Sequence, residues 1–259
     1  MTSSALADRL RAGTLTVGTL VMEFDTTGVS RIAAAAGAEF VLFDLEHTGW
    51  SLETARVLIA STRATRTVPF VRVPAGDSHF IARALDLGAA GIMVPSVETA
   101  EQARSIVSAA KYPPIGERRF GLIYSDAQSS GLDATMRAAN EQNLLLLQIE
   151  STRGLENVEE IARVPGVDVL WLGPYDLTIS MQIPARFDDV TYRAAVDRFL
   201  AACERHGPVP GVLVEDSSEG RDAIERGFRC LMCGFDAALY EHALRCGIDE
   251  LRGIADGSR

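Results

Sequence analysis

The segment FVLFDLEHTGW, residues 40–50, passes from an apolar run straight into Asp44, Glu46 and His47. Three ionisable groups within four positions, directly after a stretch that reads as a buried strand, are a setting for proton transfer. His47 suits a general base near neutral pH; alternatively it opens a helix over 51–64 capped by Thr48 or Ser51. Arg72 lies inside the otherwise apolar VPFVRVP. Its planar fork matches a carboxylate bidentately, and an internal pair with Glu150 or Asp44 is the other reading. Gln148 and Glu150 in LLLLQIE are two apart and therefore face the same way on an extended strand. A carboxylate buried there needs a cation. Arg72 is one candidate and a metal ion is another, with Asp176 of WLGPYD converging from the next strand. Two carboxylates, with water completing an octahedron, suit Mg²⁺ or Mn²⁺. Against this stands the reading of both acids as helix N-caps or surface ion-pair partners.

Other chemistries are narrowed by what the chain lacks. Lys111 is its single lysine, so a Schiff base must use that residue or be abandoned. Lys111 falls at the end of a helix before YPP, away from any strand's C-terminal end. The net charge of −10 opposes a nucleic-acid footprint. No G-x-x-x-x-G-K-[ST] and no Gly-rich dinucleotide loop follows the first strand, and CGFD after the last is a weak phosphate site. Cys203, Cys230, Cys233 and Cys246 read as reduced thiols of a cytoplasmic protein. Cys230 and Cys233 form a C-x-x-C, but residues three apart on a strand face opposite ways, which favours core packing over a zinc or redox pair. His79, His206 and His242 fall in helical patterns and read as surface residues. No apolar run approaches the ~18 residues of a membrane span.

The elements that must position these residues alternate along the whole chain. Apolar runs at 16–21, 40–44, 68–73, 91–95, 144–150, 167–173, 210–214 and 230–234 read as buried parallel strands. Helical patterns lie between them at 28–37, 51–64, 77–87, 98–110, 152–163, 190–206, 217–226 and 236–246, and an amphipathic helix precedes the first strand. Eight βα units in 259 residues predict a single (β/α)8 TIM barrel spanning 1–259. Its site belongs at the C-terminal ends of the strands, where Asp44, Glu46, His47, Arg72, Gln148, Glu150 and Asp176 all fall. The longest interruption, 112–143, reads as a functional loop with a helix at 132–142; a second loop, 180–189, follows strand six.

FDLEH, VRVP, MVPSVETAEQA, KYPPIGERR, LLLLQIE and WLGPYDL occur in the order found in the HpcH/HpaI aldolases. The resemblance covers roughly residues 15–245. It implies a metal-dependent, class II pyruvate aldolase on a TIM barrel, hexameric as a trimer of dimers, with a C-terminal helix swapped between paired subunits. By position, Glu150 and Asp176 look like the ligands of Mg²⁺, Mn²⁺ or Co²⁺. Arg72 looks like the residue that holds the pyruvyl oxygens, with Gln148 beside the metal site and Pro174 also binding substrate. His47 is similar to the family's catalytic histidine, Asp86 in RALDLGA to the acid paired with it, and Asp44 and Glu46 to groups shaping the surroundings. The implied reaction is reversible cleavage of a 4-hydroxy-2-oxo acid to pyruvate and an aldehyde. The alternatives are a citrate-lyase-β or malyl-CoA-lyase-like enzyme acting on a CoA thioester, which the absence of a lysine cluster opposes, and a non-catalytic 2-oxo-acid-binding protein.

Departures from the family pattern fall around the substrate's aldehyde side. The chain reads D-L-E-H-T-G-W where relatives commonly have D-G-E-H-A-P-N, and Gly116-Glu117-Arg118-Arg119 where G-x-R-G is usual. The loop after strand six offers Met181, Gln182 and Ile183 instead of a Gly-rich opening. A dicarboxylate substrate would want a second arginine, for which Arg118, Arg119 and Arg186 are available.

Overall fold

The computed structural model describes residues 2–121 and 131–255. Residues 122–130, within the long predicted loop, lie outside the described residues. Eight strands form a closed parallel barrel in chain order: β1 (Thr16–Val21), β2 (Phe40–Asp44), β3 (Val68–Arg72), β4 (Gly91–Val94), β5 (Leu144–Ile149), β6 (Val169–Leu172), β7 (Val209–Val214) and β8 (Cys230–Phe235). β8 closes the barrel on β1. Each coincides with a predicted apolar run, because strands buried on both faces carry little else: β2, β4, β5 and β6 are buried at every position.

Side chains divide by alternation. Phe40, Leu42, Phe70, Met93, Leu146, Trp171 and Met232 belong to a cluster inside the barrel, while Val41, Phe43, Val71, Ile92, Leu145 and Leu170 pack against the surrounding helices. The interior interdigitates large with small. Phe40 and Phe70 stack at 4.7 Å. Gly91 and Gly211 leave room for Phe70 and Trp171: a Cβ at either would lie 2.5 or 2.4 Å from the neighbouring ring. Leu6, Ala7 and Leu10 of α1 (Ser3–Arg11) join the same interior cluster. That helix therefore closes the N-terminal end with apolar side chains, and the polar groups collect at the other.

The remaining helices are α2 (Gly28–Ala35), α3 (Leu52–Thr62), α4 (Ser78–Asp86), α5 (Ala100–Ala110), α6 (Leu132–Gln142), α7 (Thr152–Glu156), α8 (Val158–Ala162), α9 (Pro174–Ser180), α10 (Val190–His206), α11 (Ser217–Arg226) and α12 (Asp236–Ala255). The predicted helix over 152–163 is split at Asn157, whose backbone leaves the helical region at φ −99, ψ 8. The short α9 was not predicted; Pro174 opens it at a position where its missing N–H costs no hydrogen bond. α12 runs to Ala255 rather than 246, and Tyr240, Leu244, Ile248, Leu251 and Ile254 along it are exposed.

Lys111 caps α5 and is buried. Its Nζ donates to the carbonyls of Asn140 (2.8 Å) and Asn143 (2.5 Å), closing the end of α6. The cysteines are all free. Cys230 is buried, whereas Cys233 on the opposite face of β8 is exposed, so core packing holds for the first and not for the second. His206 departs from the surface reading: it is half-buried, with Nε2 2.6 Å from Glu159. Among the described residues, no helix is long and apolar enough to cross a membrane.

Candidate active site

Strand register assembles one half of the site. Asp44 is the residue of β2 directly beside Arg72 of β3, so both side chains leave the same end of the barrel as neighbours. Arg72 Nε and Nη2 donate to the two carboxylate oxygens of Asp44, each at 2.8 Å. The internal pair anticipated for Arg72 therefore forms, and it orients the guanidinium rather than consuming it, since Nη1 takes no part in these bonds. The backbone N–H groups of Glu46 (3.0 Å) and His47 (3.2 Å) also donate to Asp44. Burial opposes ionisation of Asp44, but Arg72 and the two backbone donors outweigh it and hold the carboxyl below its ordinary range.

The same turn carries the other two ionisable groups. Thr48 Oγ1 donates to the Asp44 carbonyl at 2.7 Å, and Ser51 caps α3 by accepting from the Thr54 N–H. His47 thus stands in the loop before the helix, not in its first turn. Its side chain is 56% exposed, with Nε2 3.5 Å from Glu46 Oε2. Glu46 Oε2 is also 3.2 Å from Arg72 Nε, yet it is buried without a hydrogen bond. Burial raises the Glu46 pKa, and the charges of Glu150 and Asp44 reinforce it against the opposing pull of Arg72 and His47.

The second half comes from β4, β5 and β6. Gln148 and Glu150 do face the same way: Gln148 Nε2 donates to Glu150 Oε2. Glu150 Oε1 accepts from the N–H (2.7 Å) and Oγ (2.9 Å) of Ser96. Ser96 was missed in the sequence, although it ends MVPS directly after β4. Its φ of +54 is strained for a residue with a Cβ, of order 1–3 kcal/mol, and this backbone aims two donors at one oxygen. Gly173 was missed as well. A Cβ there would lie 2.7 Å from Glu150 Cβ and Oε2 and 3.0 Å from Gln148 Nε2, so a bare backbone is required where β6 passes the carboxylate. Pro174 and Asp176 then begin α9, with Asp176 exposed in its first turn. Glu150 is near enough for its negative charge to favour the cationic form of Arg72 and to oppose ionisation of Glu46.

Glu150 and its neighbours offer oxygen donors of the kind a hard divalent cation accepts. A carboxylate has about four acceptor positions, and three on Glu150 are taken, which leaves it one. Gln148 Oε1 is buried with no hydrogen-bond partner. Asp176, in the first turn of α9, is exposed and has no bond to Glu150 or Gln148 among the described residues. Among the described residues no three His, Cys, Asp or Glu side chains cluster tightly enough to hold a metal alone. The donors that Glu150 and Gln148 present at this end are oxygens, the type that Mg²⁺ and Mn²⁺ accept.

Asp86 is not brought to His47 within one chain. It ends α4, beside the N-terminal ends of the strands, where Arg118 Nη2 donates to it at 2.6 Å. Burial raises the Asp86 pKa, and Arg118 only partly offsets this. The helix runs antiparallel to its strand, so a residue at its C-terminal end is carried away from the mouth. Arg118 is spent on this pair and stacked 4.6 Å from the Tyr112 ring, and Arg186 pairs with Asp189 at 2.6 Å. A further residue whose role was not read is Asp236. Its buried carboxylate accepts from the N–H groups of Met22 (3.1 Å), Glu23 (3.0 Å) and Phe24 (2.7 Å), pinning the loop after β1.

A TIM barrel that concentrates a pinned arginine, an exposed histidine and carboxylates at the C-terminal ends of its strands has the layout of an enzyme. The pattern described as HpcH/HpaI aldolase/citrate lyase matches residues 23–243, and the chain belongs to that family. It is 31% identical over 243 residues, 93% of this chain and 91% of the relative, to a 2-keto-3-deoxy-L-rhamnonate aldolase of Salmonella gallinarum. The crystal structure of an HpcH/HpaI aldolase from Desulfitobacterium hafniense matches with a TM-score of 0.90 at 29% identity, covering 95% of this chain and 96% of that one. The citrate synthase SbnG matches at 0.88 and 27%, covering 97% and 98%. The protein is a carbon–carbon lyase of the aldolase kind.

Proposed function

We propose that the enzyme catalyses the reversible, divalent-metal-dependent aldol cleavage of a 4-hydroxy-2-oxo acid to pyruvate and an aldehyde. The observation that carries this reading is the guanidinium of Arg72, clamped by Asp44 at the strand ends. Arg72 binds the substrate carboxylate with the part of its fork that Asp44 leaves free. Gln148, bonded to Glu150, and Pro174, which opens α9 after β6, complete the substrate-binding set. Glu150 and Asp176 are the residues that would hold Mg²⁺, Mn²⁺ or Co²⁺, and such an ion supplies Lewis-acid polarisation of the 2-oxo group. His47 takes the proton of the C4 hydroxyl. The C3–C4 bond then breaks as the C4 oxygen becomes the aldehyde carbonyl, the electron pair remaining with the pyruvyl fragment as the enolate, and a proton from solvent at C3 completes pyruvate. The fixed charge of Arg72 opposes the developing negative charge with no reorganisation at the moment of reaction. Within one chain Asp86 is bonded to Arg118, so its pairing with His47 would have to come from a second copy.

Lys111 takes no part either, being committed to the end of α6. The uncovered apolar row on α12 supports a homo-oligomer in which this helix packs on a second copy, as a swapped helix in a trimer of dimers would. Free thiols fit a cytoplasmic enzyme. The test is an aldehyde panel with pyruvate, beginning with the partner of a sugar-derived 2-keto-3-deoxy acid, run beside acyl-CoA thioesters. EDTA is expected to abolish turnover and Mg²⁺, Mn²⁺ or Co²⁺ to restore it. Full activity in chelator, or covalent trapping of pyruvate by borohydride, would overturn the assignment.

A further inference from the structure

Of the three acids nearest His47 in the sequence or by expectation, two are already committed. Within one chain Asp86 ends α4 and is bonded to Arg118. Asp44 accepts from Arg72 Nε and Nη2 and from the N–H groups of Glu46 and His47, filling both its oxygens. Glu46 is different. Its Oε2 is buried and unbonded, 3.5 Å from His47 Nε2. The nearby Arg72 Nε–H, at 3.2 Å, already points to Asp44 Oδ1 and cannot serve both acceptors well.

We propose that Glu46 is the positioning residue of His47: its carboxylate accepts the Nε2–H of the imidazole, so that Nδ1 is the basic nitrogen presented to substrate. The inference rests on the reading of His47 as the proton acceptor. The imidazole is more than half exposed, so a small rotation closes the 3.5 Å contact, and catalytic hydrogen bonds are commonly loose before substrate binds. A carboxylate on the far nitrogen both selects the tautomer and stabilises the imidazolium that forms when the proton is taken. The charged groups facing Glu46 are Arg72, His47, Glu150 and Asp44. Arg72 and His47 favour its ionised form, whereas burial and the two acids oppose it. Glu46 therefore joins the carboxylate-binding arginine to the base in one electrostatic unit.

The experiment uses the full-length enzyme labelled with ¹⁵N-histidine. Only four histidines contribute, and His47→Asn identifies the His47 signals by subtraction. Solid-state ¹⁵N spectra report which ring nitrogen carries the proton, independently of turnover. The wild type is expected to show protonated Nε2 and unprotonated Nδ1 at a pH where the ring is neutral. Glu46→Ala should mix the tautomers and lower kcat by about 10²-fold, with pyruvate affinity within about threefold of wild type. Glu46→Gln keeps an acceptor without the charge and should fall between the two. An unchanged His47 tautomer in Glu46→Ala overturns the proposal. So does a loss confined to pyruvate affinity, which would assign Glu46 to Arg72 alone. Should no substrate be cleaved by the wild type, the functional reading fails, while the nitrogen shifts still decide the role of Glu46.

Discussion

Arg72 shows why identity at a single position matters beyond charge. Its two bonds to Asp44 use a fork geometry that lysine cannot reproduce. Arg72→Lys is expected to weaken pyruvate binding about 10- to 100-fold, since a charge-assisted bond contributes about 1.5–3 kcal/mol and each 1.4 kcal/mol is tenfold; titration calorimetry with pyruvate measures it. Asp44→Asn is a different experiment, because it leaves a buried guanidinium short of its partner. Breaking such a pair costs about 3–5 kcal/mol. The sign with pH follows from the lowered pKa of Asp44. A depressed carboxyl contributes stability that is fully present above its unfolded pKa and is lost as pH falls through the folded one. The Tm difference between wild type and Asp44→Asn should therefore be largest near neutrality and shrink below about pH 4.

At the scale of elements, the site is a product of strand ends and the turns that follow them. β2 and β3 place Asp44 beside Arg72 by register alone. β4 contributes through the strained Ser96 and β6 through the bare backbone of Gly173. Gly173→Ala would drive a methyl to within 2.7 Å of the Glu150 side chain. The expected outcome is a fall in kcat of about tenfold or more and a higher metal concentration for half-maximal activity, with a near-unchanged circular dichroism spectrum. Wild-type metal dependence in that variant would show that Glu150 can shift without consequence. Polar pairs at strand ends, such as Gln148 with Glu150, were legible because their spacing follows the two-residue period. Ser96 was not, since its importance lies in a backbone angle that no residue pattern encodes.

For the whole molecule, α12 is the element least explained by the barrel. Tyr240, Leu244, Ile248, Leu251 and Ile254 recur at helical spacing and remain exposed. Burying such side chains contributes about 1.5–3 kcal/mol each, which makes an uncovered row a strong drive toward a second copy. Leu244→Asp with Ile248→Asp is expected to reduce the molar mass measured by light scattering, leaving the far-ultraviolet spectrum of the barrel in place. An unchanged mass would remove α12 from the interface.

Fully apolar runs, alternating with helical patterns, determined the barrel by themselves, because strands covered on both sides admit few polar residues. They also determined that Asp44, His47, Arg72, Gln148, Glu150 and Asp176 lie near strand ends. Only the tertiary structure decided the pairings among them. It joined Asp44 to Arg72, aimed Ser96 at Glu150, left Glu46 beside His47 and carried Asp86 to Arg118. The physical reason is that period and burial act along the chain, whereas a hydrogen bond depends on register between strands and on the direction each turn gives a side chain.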